Sequence, residues 1–159
     1  MNMRGIFLSL HLIGFALWWG VTFSLALLTV RAKRSDDRSI VAFTYRSARD
    51  LLRGPGLVGM VLTILAGFGL TGMGGYGYFQ LDRDHWLFGM QLLGLAAFVL
   101  AVFVQLPNAE RLARAAEASA AAGKDSESFV QFQKRNGLVS SIIGVLLIVS
   151  ILLGGTRPG

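Results

Sequence analysis

Four stretches of this chain are long and apolar enough to cross a lipid bilayer, and they constrain the fold more than any motif does. They run over about 5–30 (GIFLSLHLIGFALWWGVTFSLALLTV), 55–78 (PGLVGMVLTILAGFGLTGMGGYGY), 85–106 (HWLFGMQLLGLAAFVLAVFVQL) and 138–153 (LVSSIIGVLLIVSILL). The hydrocarbon core of a bilayer asks for roughly 20 residues of helix. The expected fold is therefore all-α: an integral membrane four-helix bundle built as one domain over residues 1–159. The first run holds about 25 apolar residues against the roughly 7–15 of a secretory signal, and its basic cluster follows it, so it reads as a span and not as a leader. The fourth run is short, and its helix is expected to begin nearer Ser126.

Charge placement gives the expected direction of threading. Only 15% of the residues are charged, where a soluble domain carries about 25%. Seven cations, Arg31, Lys33, Arg34, Arg38, Arg46, Arg49 and Arg53, lie between the first two runs. Five more, Arg111, Arg114, Lys124, Lys134 and Arg135, lie between the last two, and only Arg4, Arg83 and Arg157 fall on the other side. Such a bias places both long loops in the cytoplasm and both termini on the outer side. It also accounts for the net charge of +6 through topology and anionic headgroups, so nucleic acid is not an expected partner. Cysteine is absent, which removes disulfide and thiolate chemistry.

The two cytoplasmic connections carry helical extensions. SIVAFTYRSARDLLR, residues 39–53, puts Ile40, Phe43, Ala48, Leu51 and Leu52 on one face and Arg46, Arg49, Asp50 and Arg53 on the other. It reads as an amphipathic helix lying along the interface, broken by Gly54-Pro55-Gly56 where span two begins. NAERLARAAEASAAAG continues span three and stops at Gly123, and Asp125 or Ser126 caps the next helix. The glycines of span two predict close helix packing. The helix is expected to fray from Gly72 to Gly77, leaving Tyr76, Tyr78 and Phe79 at the headgroup level.

Few polar groups fall inside these spans. Hydroxyls such as Ser9, Thr22, Ser24, Thr63 and Ser140 can bond to their own helix; His11 and Gln91 need another account. His11 lies about 9 Å below the start of span one, and Met90 about 7.5 Å below the start of span three. His11, Met90 and Gln91 are thus expected at one outer level, with His85 and Met73 above it and Met1 and Met3 near the same rim. An ionisable residue inside a membrane is a functional candidate. Imidazole and thioether ligate haem iron, and soft sulfur suits cuprous copper. His11 and Met90 are the candidate metal ligands; His11, Met90, Gln91 and His85 are the candidate cofactor-binding residues. The competing readings are a neutral His11 bonded to a neighbouring helix, Met90 as packing, and His85 beside Trp86 as an interfacial anchor. The acidic residues fall in loops or flanks, which argues against an ion-coupled pump. The glycines of GFGLTGMGGYG lack the strand–turn–helix setting of a nucleotide site.

LHLIGFALWWG, RGPGL at the head of span two, ILAGFGLTG, and HWLFGMQLLGLAAFVLAVFVQLPNAERL together resemble small bacterial four-helix membrane proteins of uncharacterised function. These look related to the CopD copper-resistance domain and to HemJ-type protoporphyrinogen oxidase. The resemblance implies a bacterial inner-membrane location and a b-type haem ligated by the histidine of helix one, here His11, with copper as the alternative. HemJ-like proteins also use a lysine shortly after a tryptophan of helix three. The matching position after Trp86 is Met90, so protoporphyrinogen oxidase activity is not expected. Two functions follow: a haem- or metal-binding membrane protein of a redox pathway, and a non-catalytic accessory subunit of a larger respiratory or photosynthetic complex, in which His11 could hold a chlorophyll-type magnesium. Expected partners are the lipid bilayer and either such a complex or further copies of the chain.

Overall fold

Residues 2–75, 78–79 and 85–155 are described in a computed structural model. Among them the structure is all-helical, with four helices long and apolar enough to cross a membrane: α1 (Met3–Lys33), α2 (Arg38–Met73), α3 (His85–Ala122) and α4 (Glu127–Gly155). Consecutive helices run antiparallel. α1 packs on α2 and α3 packs on α4, and the two hairpins join mainly through the first part of α2 and the last part of α3. One end of the bundle, the terminal end, therefore holds the start of α1, the end of α4 and the turn after α2. The other, the basic end, holds the two charged connections.

The α1–α2 crossing is the tightest in the molecule, because glycine faces glycine. A Cβ on Gly14 would lie 2.7 Å from the Thr63 backbone nitrogen and 2.9 Å from the Gly59 carbonyl oxygen. A Cβ on Gly59 would lie 2.7 Å from the Trp18 nitrogen and 2.8 Å from the Gly14 oxygen. Lipid provides no hydrophobic drive between helices, so this backbone contact supplies the dispersion that holds them together. The close packing expected of span two is what the structure has. Beside the crossing lies a core of Trp18, Val21, Leu25, Leu52, Met60, Ala97, Ala101, Ile143 and Leu147.

Gly54-Pro55-Gly56 does not break the chain as expected. Leu52–Gly56 forms a π-helical turn with Pro55 inside it, and the helix continues into Leu57. The wider turn absorbs the amide that proline lacks, so the helix passes through it. A second π turn, Ala101–Gln105, precedes Pro107 in α3 in the same way. The segment before Pro55 consequently forms the first turns of α2. Its buried line is Ala42, Tyr45, Ala48 and Leu52, whereas Ile40 and Phe43 are exposed. α3 decides this outcome. It offers a small-residue face of Ala109, Leu112, Ala113 and Ala116, which accepts the Tyr45 line.

A second core forms at the basic end from Ala32, Ala42, Tyr45, Leu112, Ala116 and Phe129. Around it, Arg53 pairs with Glu110 at 2.9 Å, Arg46 with Glu117 at 2.8 Å and Arg38 with Asp125 at 3.2 Å. These exposed pairs contribute at most about 1 kcal/mol each, but their order fixes the antiparallel register of α2 and α3. Asp37 caps α2 by accepting from the Ser39 amide at 2.8 Å. The Ser39 hydroxyl, with that amide, holds the Asp37 carboxyl below its usual range.

α3 stops where expected, at Gly123, in the left-handed conformation with φ 68°. Ser126 caps α4, its hydroxyl accepting from the Phe129 amide at 3.1 Å. α2 ends at Met73, and Tyr78 folds back so that its hydroxyl donates to the Phe68 carbonyl at 3.2 Å. Met1, Tyr76, Arg83 and Arg157, which entered the sequence expectations, lie outside the described residues.

Candidate functional site

The site is built on the terminal half of the α1–α2 pair. His11, Gly14 and Trp18 recur on one face of α1, at the spacing that keeps side chains on one side of a helix. Gly59, Thr63 and Gly67 recur every fourth residue on α2 and form the opposing face. The His11 ring lies over Gly67, where a Cβ would sit 3.1 Å from Cε1 and 3.2 Å from Nδ1. With no side chain there, the imidazole reaches the α2 backbone, and Nδ1 meets the Thr63 carbonyl oxygen at 2.8 Å.

A carbonyl only accepts, so in this geometry Nδ1 carries a proton and donates to Thr63, which leaves Nε2 as the nitrogen open to another partner. The two ring nitrogens point in well-separated directions, so Nε2 faces away from the bond to Thr63. No protein partner for Nε2 is found among the described residues. Thr63 stays a regular helix residue, its own hydroxyl donating to the Gly59 carbonyl at 2.7 Å. The result is a half-buried imidazole with its tautomer and ring plane fixed by backbone. A backbone carbonyl on the far nitrogen is what orients histidines that ligate metals.

The other candidates go elsewhere. The Gln91 amide donates to the Thr71 hydroxyl at 3.3 Å and its oxygen accepts from the Phe79 amide at 2.8 Å. Gln91 thereby ties α3 and the turn after α2 to α2 about one helical turn, roughly 6 Å, nearer the terminal end than the His11 ring. Met90 packs on α4, its sulfur 3.3 Å from where a Cβ on Gly154 would be. His85 is exposed at the first residue of α3. The structure thus brings together His11, Thr63 and Gly67, and leaves Met90, Gln91 and His85 in three separate settings. Among the described residues no group of three or more His, Cys, Asp or Glu side chains is assembled.

Sequence reasoning missed two polar groups. Gln105 is 2% exposed and donates to the Ser140 hydroxyl at 2.9 Å, joining α3 to α4. It lies at the end of the third apolar run, and the sequence carries no mark of the serine that it meets on α4. Trp18 is 1% exposed, and its indole Nε1 is buried without a hydrogen-bond partner among the described residues. An orphaned buried donor typically costs about 1–3 kcal/mol, and no sequence signal distinguishes it from a packing tryptophan.

No curated protein and no solved structure shows significant similarity. The family model that matches residues 6–158, nearly the whole chain, is described as "Predicted integral membrane protein (DUF2269)". The chain that carries this glycine-lined histidine is a member of the DUF2269 family of integral membrane proteins.

Proposed function

We propose that the protein holds a b-type haem in the membrane through His11 Nε2, as part of a redox pathway. One observation carries this reading: the 2.8 Å contact of His11 Nδ1 with the Thr63 carbonyl, over a glycine. It orients the ring and reserves Nε2 for an acceptor of its lone pair. The energetics favour a ligand role over helix glue. An interhelical hydrogen bond inside a membrane averages only about 0.6 kcal/mol, a small return for an ionisable ring placed in lipid.

The donor set fits haem better than copper. A bare cation bound by protein alone needs three or four donors around it, whereas a porphyrin brings four nitrogens and asks the protein for one axial ligand. When bound, the haem would supply one-electron chemistry. The chain's own part is to fix the orientation of the imidazole and to hold Nδ1 on the backbone, so that Nε2 is the nitrogen turned to a ligand. Met90, committed to α4, is not needed for this reading.

The purified protein should show a Soret band and contain iron; copper without iron would replace haem by the alternative cofactor. Protein made with ample haem supply and still colourless and metal-free would overturn the reading, leaving an accessory subunit without a cofactor.

We further propose that the basic end faces the cytoplasm of a bacterial inner membrane and that both termini face outward, on the positive-inside bias of twelve cations against three. The absence of cysteine makes the test clean. Lys124→Cys should resist a membrane-impermeant maleimide in intact spheroplasts, and Met3→Cys should react. The reverse pattern would invert the topology.

A further inference from the structure

About a quarter-turn around α1 from the glycine crossing, toward the basic end, a groove of about 370 Å³ separates α1 from α4. Trp19, Thr22, Ala26 and Thr29 form one wall and Gly137, Ser141 and Gly144 the other, and Lys33 stands at its mouth. A Cβ on Gly137 or Gly144 would meet nothing within 4 Å, so no protein atom covers that wall.

Three of the hydroxyls along the groove are already engaged. The Thr22 hydroxyl donates to the Trp18 carbonyl at 2.9 Å, the Ser141 hydroxyl to the Gly137 carbonyl at 2.9 Å, and Ser140 accepts from Gln105. What remains to be covered is hydrocarbon-like. The mouth is different. Lys33 ends the α1 face, and Lys134 continues the α4 face one turn beyond Gly137. Neither lysine has an ion-pair partner among the described residues. From Trp19 to Lys33 the groove runs about 21 Å, the depth of one leaflet with its headgroup.

We propose that this groove is a binding site for one anionic glycerophospholipid. An acyl chain lies along Gly137 and Gly144, and the phosphate is held between Lys33 and Lys134. The occupant is chosen by charge complementarity: an apolar groove with Lys33 at its mouth and Lys134 one helical turn past Gly137, neither ion-paired among the described residues, matches an amphiphile with an anionic head. Basic pockets between transmembrane helices recognise lipid headgroups by the same attraction.

Native mass spectrometry of the detergent-purified protein, titrated with phosphatidylglycerol or with phosphatidylcholine of identical chains, tests this. The expected result is one tightly retained phosphatidylglycerol, preferred over phosphatidylcholine by about tenfold. Lys33→Gln/Lys134→Gln should remove the preference, and Gly144→Leu should displace both lipids, with unchanged thermal unfolding showing that the variants fold. Inorganic phosphate should not compete. Equal retention of the two lipids, a preference that survives the double substitution, or a dimer that Gly144→Leu converts to monomer would overturn the proposal, the last by giving the groove to a second copy.

Discussion

Gly59→Leu should destabilise the protein by about 3 kcal/mol or more, the largest effect expected of any single substitution in the chain. Overpacking a filled interior costs typically about 1–3 kcal/mol when neighbouring side chains can move aside. Here the atoms facing the new Cβ are the Trp18 nitrogen and the Gly14 oxygen, at 2.7 and 2.8 Å. Backbone atoms cannot rotate out of the way, so the two helices must separate, and the contact that joins α1 to α2 is lost over its length. Gly14→Leu should behave alike, since its Cβ would meet Thr63 N and Gly59 O. Gly20 is the control. It lies on the same helix with nothing within 4 Å of an added Cβ, and Gly20→Ala should stabilise by about 0.5 kcal/mol through helix propensity. Reversible unfolding in mixed detergent micelles measures all three. A Gly59→Leu protein within about 0.5 kcal/mol of the parent would contradict the crossing.

The second large effect concerns a residue that touches no ligand. Gly67→Leu should weaken haem retention by about 10- to 100-fold, the range seen when the groups orienting a metal-ligating histidine are altered. The Cβ would press on the His11 ring at 3.1–3.2 Å, and the added isobutyl carbons would push it off the Thr63 carbonyl. Nδ1 would lose its acceptor, and the tautomer would no longer be fixed. Gly67→Ala, which asks the ring to yield by only a few tenths of an ångström, should give an intermediate loss. Haem retention is read from the haem-to-protein ratio after size exclusion. A Gly67→Leu protein that unfolds no more easily than the parent and keeps its haem would show that the backbone bond does not orient the ring.

Much of this architecture could be read from residues alone, for identifiable reasons. The four helices are written in hydropathy, which local contacts cannot mask at that length. The stop at Gly123 and the start at Ser126 depend on backbone conformation and a hydroxyl cap, both properties of single residues. Pro55 misled because a proline's effect depends on whether a wider turn is available to it, and the π turn at Leu52–Gly56 supplies one. Ile40 and Phe43 misled because burial at the start of α2 is decided by the alanine-rich face of α3, which lies some seventy residues away in sequence.

The site divides in the same manner. His11 stands out as an imidazole in an apolar run. Its partner is a carbonyl oxygen, which every residue has, so Thr63 carried no mark of its own. Gly67 belonged to the glycine pattern of span two, a sign of close packing that did not say what would pack there. Met90 and Gln91 drew attention through estimated depth. Depth says nothing about which way a side chain turns, and α4 and Thr71 take them.

The most direct measurement is the absorption spectrum of the protein and of His11→Ala, purified in parallel from cells making ample haem and compared at equal folded concentration. The account predicts a Soret band in the parent that is lost in the variant, while the haem-free forms of the two proteins differ in unfolding by no more than about 1 kcal/mol, the order of one interhelical hydrogen bond. Identical spectra for the two proteins would contradict it.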